Sequence, residues 1–280
     1  MIFYRKKGEE LEMNGFSKNH VENIKASLNK ETLIVSLGTK LRVAKLKKVR
    51  DWFLNNDVLD FGDPAENFFR SRVLPEGFVD SKEVQGNVVK YFASFDEAIR
   101  DFNVEELPQD DEKDTSKSYK IDALHKMTDS QEMAAIPLKM ESSGTLKMFA
   151  LYPSLKDVLD NGGTLFIDEL NARLHPLLVR NIILTFLAPE INTQNAQLIF
   201  TTHDIWQFSN ELLRRDEIWL VNKNRDGVSE LYSLADFKDE EGNKVRRDEA
   251  LSKKYLTGNY GAIPALKPMK MLAGRAADGE

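Results

Sequence analysis

The chain has 280 residues, 41% hydrophobic and 30% charged, with a formal net charge of −6. That is enough chain for one large core or two modest ones, and the acidic balance argues against an overall nucleic-acid coat while leaving room for a local basic patch. The absence of cysteine excludes disulfides and thiolate metal sites, and four histidines without ligand spacing argue against zinc. No stretch approaches the length of a membrane span, and residues 1–7 lack the apolar core of a secretion signal, so no membrane partner and a cytoplasmic location are expected.

Residues 1–16 open with two short strand patterns on either side of Gly8. They read as the remnant of an N-terminal β-subdomain. Residues 17–103 read as a helical insert. Asn29 suits the N-cap of a long helix whose apolar positions Leu33, Ile34, Leu37, Leu41, Val49, Trp52 and Phe53 keep helical spacing. Lys40, Arg42, Lys45, Lys47, Lys48 and Arg50 give it a basic face over 40–50. Two readings are open for that face: a solvated surface, or a contact with nucleic acid or an acidic partner. Further helices are expected over 82–93 and 94–102, the second opened by the capping-box pattern Ser94-Phe95-Asp96-Glu97.

Residues 104–118 are polar and acidic and read as a flexible loop. From 119 to 264 the pattern becomes strand and helix in alternation, which implies a mostly parallel sheet with helices packed on it. Strands are expected near 119–126 and 134–140, then a helix over 146–159 that Pro153 should bend or divide. A strand over 164–168, a helix over 176–187, a strand over 198–202, a helix over 208–213 and a hairpin at 217–233 follow. Residues 265–280 read as a disordered tail.

Three segments carry chemistry. Glu141-Ser142-Ser143-Gly144-Thr145 precedes a helix, and its hydroxyls, glycine and helix N-terminus make either a phosphate site or an ordinary N-cap. Thr164-Leu165-Phe166-Ile167-Asp168-Glu169 is a buried-strand pattern running into adjacent carboxylates. These either end a strand and cap the next helix, or divide labour: Asp168 holds Mg²⁺, and Glu169 orients and deprotonates the water that attacks a γ-phosphate. Leu198-Ile199-Phe200-Thr201-Thr202-His203 is a second such strand, ending in a histidine that is either structural or a γ-phosphate sensor.

In this order the three segments resemble the second half of an ABC-type ATPase head. Residues 141–145 resemble the signature, 164–169 the Walker B strand with its catalytic glutamate, 171–176 the D-loop, and His203 the switch histidine. The Ser-Ser-Gly-Thr and Leu-His-Pro variants are similar to AAA-type, ABC-related ATPases of abortive infection and other phage defence. The resemblance implies an α/β fold of the P-loop NTPase kind, incomplete at its N-terminus, with a helical insert. It implies ATP and Mg²⁺ as cofactors and two heads closing around ATP. Ser142, Ser143, Gly144 and Asn171 then contact nucleotide, Asp168 the metal, and Glu169 and His203 act in catalysis. A homodimer or an intact ATPase head, with a toxin or effector protein, are the implied partners. The phosphate loop Gly-x-x-x-x-Gly-Lys-Ser/Thr that the family uses is not in the sequence. A truncated or split chain inactive alone is therefore expected. Two alternatives stand beside the ATPase: a non-catalytic dimerisation partner of an intact head, and a DNA-clamping ATPase of the recombination and repair type.

Overall fold

The computed structural model describes residues 3–4, 11–108, 117–128 and 132–264. The flexible-loop expectation falls largely on 109–116 and the disordered-tail expectation on 265–280, outside the described residues. The chain divides into two compact units. The first comprises Met1–Ala172 with Phe186–Thr201, the second Arg173–Thr185 with Thr202–Glu280.

In the first unit, β1 (Phe3–Tyr4) pairs antiparallel with β2 (Glu12–Met13). Helix α1 (Lys18–Ser27) follows, capped by Ser17, whose hydroxyl accepts the His20 amide. The single long helix expected after Asn29 is instead two, α2 (Ile34–Lys40) and α3 (Ala44–Leu54). Arg42, at φ +60°, turns the chain between them. Asn29 spends its side chain on a local turn, accepting from the Glu31 amide at 3.0 Å. Gly38 lets the two helices close, because a β carbon there would stand 2.1 Å from Leu46 Cδ1. Leu11, Ile24, Ile34, Val43 and Leu46 form the small core beneath them. The basic residues at 40–50 are exposed.

The segment between α3 and residue 141 contributes more than helices. A strand, β3 (Val58–Asp60), joins the parallel sheet, and α4 (Pro64–Arg70) and α5 (Lys82–Phe92) follow it. The helix expected over 94–102 is corrected to a turn and a strand. Asp96 accepts the Ala98 amide at 2.9 Å, a local turn rather than a helix cap. β4 (Ile99–Glu106) then buries Ile99 and Phe102 across a register shift. β4, β5 (Tyr119–Lys126) and β6 (Met133–Pro137) form an antiparallel sheet.

Helix α6 (Ser143–Asn161) runs undivided through Pro153. Phe78, Phe92, Phe102 and Phe149 pack as an aromatic cluster with edge and tilted contacts, joining α5, β4 and α6. The buried Tyr91 hydroxyl donates to the Met148 carbonyl at 3.1 Å. Burial first, and the neighbouring Tyr152 second, pushes that phenol well above its ordinary range.

Strand β7 (Thr164–Asp168) lies between β3 and β8 (Gln197–Phe200), parallel to both. Asp60 stands in register with Asp168, and Ile167 with Phe200. The sheet is pinned at its opposite end, where the Asn56 side chain accepts the Thr164 amide at 3.1 Å. Helix α7 (Pro176–Leu187) connects β7 to β8, giving the parallel strand–helix–strand unit that the alternation predicts.

In the second unit the helix expected over 208–213 is replaced by a 3₁₀ turn at Ile205–Gln207 and further turns, in which Ser209 bonds its own neighbours. β9 (Trp219–Lys223) and β10 (Ser229–Ser233) form the expected hairpin, and α8 (Leu251–Leu256) follows. Ile218, Leu220, Leu234, Val245, Leu251 and Tyr260 make its core.

Candidate functional site

The site is built on the carboxyl end of β7, the middle strand of the described parallel sheet. Open α/β sheets present ligand groups at this edge. Leu165 and Ile167 are buried on the strand, while Asp168 comes out exposed. The backbone then departs from ordinary geometry: Glu169 sits at φ +51°. A left-handed conformation in a residue that is neither Gly nor Asn costs about 1–2 kcal/mol. Such strain persists only where surrounding contacts over-determine it.

Those contacts come from three directions. Thr201, just past β8, extends the ladder by donating its amide to Ile167 O at 3.0 Å and accepting from the Leu170 amide at 3.0 Å. Its hydroxyl accepts the Glu169 amide at 2.9 Å and donates to Asp168 Oδ1. From below, Lys147 of α6 is fully buried and places its ammonium against the turn. It donates to the carbonyls of Glu169 (3.1 Å), Leu170 (2.7 Å) and Ala172 (2.9 Å). From the side, the Phe61 amide donates to the Asp168 carbonyl at 3.2 Å, and the Phe61 ring lies 4.2 Å from the Lys147 ammonium.

Gly62 makes room for the glutamate side chain. A β carbon there would stand 3.2 Å from Glu169 Cδ and 3.1 Å from Asp60 Oδ1. Asp60, in register with Asp168, accepts the Asp63 amide at 3.0 Å and so holds the loop that carries Gly62.

Ser142, Ser143 and Gly144 open α6. Ser142 is its N-cap, accepting the Thr145 amide at 3.1 Å, with its hydroxyl 2.9 Å from Thr145 Oγ1. Ser143 and Gly144 occupy the first helical turn, where backbone amides have no intrahelical acceptor. The N-cap and the anion site are therefore compatible: Ser142 closes one amide and leaves the turn's dipole end presented. Glu141, just before it, is bound to His125 Nε2 at 2.7 Å. Asn171 lies half-buried on the turn after β7, inside the bond from the Ala172 amide to Glu169 O at 2.9 Å. The first unit thus holds Ser142, Ser143, Gly144, Asp168, Glu169 and Asn171, and Lys147 joins α6 to the acidic turn. His203 is exposed, two residues past Thr201, and belongs to the second unit.

The donor set suits a hard cation and a polyphosphate. Asp168 offers carboxylate oxygen at a sheet edge with one oxygen already oriented by a hydroxyl. Among the described residues no cluster of three or more potential metal ligands occurs. A Mg²⁺ ion held by one carboxylate, water and substrate phosphates needs none.

A parallel sheet whose middle strand ends in an exposed aspartate followed by a glutamate at positive φ fits a P-loop-type ATPase domain. Residues 49–205 match the family described as "AAA domain, putative AbiEii toxin, Type IV TA system". That span is more than half of the 280 residues, and the chain belongs to this family. No curated protein matches the chain. The match starts inside the segment expected to be a helical insert, consistent with β3 belonging to the sheet. Proteins of AAA type bind nucleotide, generally with Mg²⁺. No helix among the described residues is long and apolar enough to cross a membrane.

Lys147 and Thr201 were not among the residues the sequence singled out. Lys147 did leave a signal: it is the one charge in Thr145-Leu146-Lys147-Met148-Phe149-Ala150-Leu151-Tyr152, an otherwise apolar helical run. Thr201 left none beyond its place next to the histidine strand end.

Proposed function

We propose that the chain is the signature- and Walker-B-bearing part of an ABC-type ATPase head that closes with a second head around ATP and hydrolyses it, in an abortive-infection or toxin–antitoxin system. The observation that carries this reading is the left-handed backbone of Glu169 beside Asp168 at the end of β7. Strain of that kind clusters at functional sites.

In this reading Glu169 accepts a proton from the attacking water as its oxygen bonds to the γ-phosphorus. The bond from that phosphorus to the bridging oxygen breaks, and ADP leaves with the electron pair. Asp168 would hold Mg²⁺, which when bound would neutralise triphosphate charge. Ser142, Ser143 and Gly144 offer hydroxyls and amides to the γ-phosphate of nucleotide held by the facing head, and Asn171 lies at the same interface. His203 reports the γ-phosphate. Such an interface is isologous, so one surface serves both copies.

A second reading is favoured by one observation: no Gly-x-x-x-x-Gly-Lys-Ser/Thr occurs in the 280 residues. The chain then serves an intact head as a partner, offering its signature face without completing a nucleotide site of its own. In either case turnover requires a phosphate loop from outside these residues, and the chain alone binds Mg-ATP weakly.

The test is ATP hydrolysis by the chain combined with a separate ATPase head that carries a phosphate loop, with and without Glu169→Gln. Turnover that falls about a hundredfold or more in the variant supports the base assignment; unchanged turnover overturns it. Tight, magnesium-dependent binding of ATP by the 280-residue chain alone, measured by calorimetry, overturns the need for an external loop.

A further inference from the structure

A fully buried ammonium is costly unless its donors are satisfied. Lys147 lies at 0% exposure. It has three N–H donors, and three carbonyls of one short turn accept them, from Glu169, Leu170 and Ala172 at 2.7–3.1 Å. The negative face of the Phe61 ring, 4.2 Å away, offsets part of the lost hydration. A lysine used merely to fill space would be replaced at no loss by Met or Leu. Here the charge is spent on the backbone of a turn whose first residue is in a left-handed conformation.

The position along α6 adds a second fact. Lys147 lies three residues after Gly144, within one helical turn of the signature segment. A displacement of the α6 N-terminus therefore carries the ammonium, and with it the three carbonyls that fix Glu169.

We propose that Lys147 is the positioning residue of the Glu169 turn: its ammonium holds the backbone that aims the Glu169 carboxylate, and it couples the Ser142-Ser143-Gly144 end of α6 to that carboxylate. The coupling to catalysis rests on the ATPase reading above; the latch itself does not. Nucleotide sensed at the signature of one head would thereby adjust the base of the same head through a single side chain.

The experiment exploits the absence of cysteine from the chain. Lys147→Cys gives a unique thiol, which is alkylated with 2-bromoethylamine in denaturant to restore an ammonium on a lysine-length stem, and the protein is refolded. Lys147→Met, the unmodified Cys variant, the aminoethylated protein and wild type are compared by amide hydrogen exchange. In Lys147→Met the Glu169, Leu170 and Ala172 amides should exchange at least about tenfold faster, while those of α5 and β5 change by less than about threefold. Aminoethylation should restore the protection. In the ATP-hydrolysing assembly, kcat should fall in Lys147→Met with KM for ATP unchanged, and aminoethylation should recover it.

Uniform loss of protection through the first unit, or failure of aminoethylation to restore the turn, overturns the proposal and leaves Lys147 a general core pin. If Lys147→Met does not refold, Lys147→Gln, which keeps a donor and drops the charge, replaces it; failure of both to fold counts the same way. If wild type shows the exchange pattern but no preparation hydrolyses ATP, the latch stands and the ATPase reading falls.

Discussion

Two of the turns in this protein that take a residue through positive φ satisfy their backbones in opposite ways. Between β9 and β10 the turn is self-sufficient. Asn224 Oδ1 accepts the amides of Asp226 (3.0 Å) and Val228 (2.9 Å), and the left-handed position, φ +80°, belongs to Gly227. After β7 the left-handed position belongs to Glu169, at φ +51°. Its bonds come from Lys147, on a helix earlier in the chain, and Thr201, just past a strand later in it. The hairpin turn is built from residues that suit its geometry. The turn at the acidic strand end is built from a residue that does not, held by distant groups. In the proposed function, the second turn is the one that carries chemistry.

The largest effect expected at either turn is on rate. Glu169→Gln should lower turnover of the ATP-hydrolysing assembly by about 10²–10⁴-fold, the range for a general base. Gly227→Ala should leave turnover unchanged. A steady-state phosphate-release assay on both variants breaks the comparison if they respond alike. Next in size is Gly62→Ala. Its methyl would stand 3.2 Å from Glu169 Cδ, so the carboxylate must shift. Misplacement of about 1 Å can cost up to about a hundredfold, and a loss of tenfold or more in kcat is expected. Wild-type kcat in this variant would show that the carboxylate's present position is not the working one.

On stability the ordering favours the hairpin. Gly227→Ala meets no close atom, since Lys223 Cε is 3.9 Å from the added carbon. The change therefore isolates backbone strain, and should cost about 1–2 kcal/mol in denaturant unfolding of the second unit. Thr201→Val removes the hydroxyl that joins Asp168 to the Glu169 amide. Because Thr201 is exposed and water can replace part of the loss, about 1 kcal/mol is expected. A Thr201→Val protein as stable as wild type, with unchanged exchange at the Glu169 amide, would show that the hydroxyl does not hold the turn.

The same contrast explains what the sequence discloses. The hairpin was legible from Asn224-Arg225-Asp226-Gly227 because each requirement of its turn is met by a residue within it. The acidic strand end was legible as far as its own residues go: an apolar run, then Asp168 and Glu169. The latch was not, because its members lie 22 residues before Glu169 and 32 after it, and only the fold brings them together. β3 was missed for a related reason. Val58, Leu59 and Asp60 are too few to show a period, and their strand character comes from pairing with β7. The helix expected over 94–102 failed because Ser94-Phe95-Asp96-Glu97 fits a capping box, while Asp96 closes a tight turn and the buried spacing of Ile99 and Phe102 is fixed by β5.

The smallest expected effect has the opposite sign. Glu169→Gly removes the left-handed penalty of about 1–2 kcal/mol. It also adds the chain entropy that glycine loses on folding, about 0.5–1 kcal/mol. The carbonyls bound by Lys147 and the amide bound by Thr201 are backbone groups and survive the change. The variant should therefore be as stable as wild type or more stable, by up to about 1.5 kcal/mol, while turnover is lost as in Glu169→Gln. A destabilised Glu169→Gly, measured by urea unfolding, would mean that the side chain itself supports the fold. The strained backbone would then be a consequence of packing rather than a site maintained against stability.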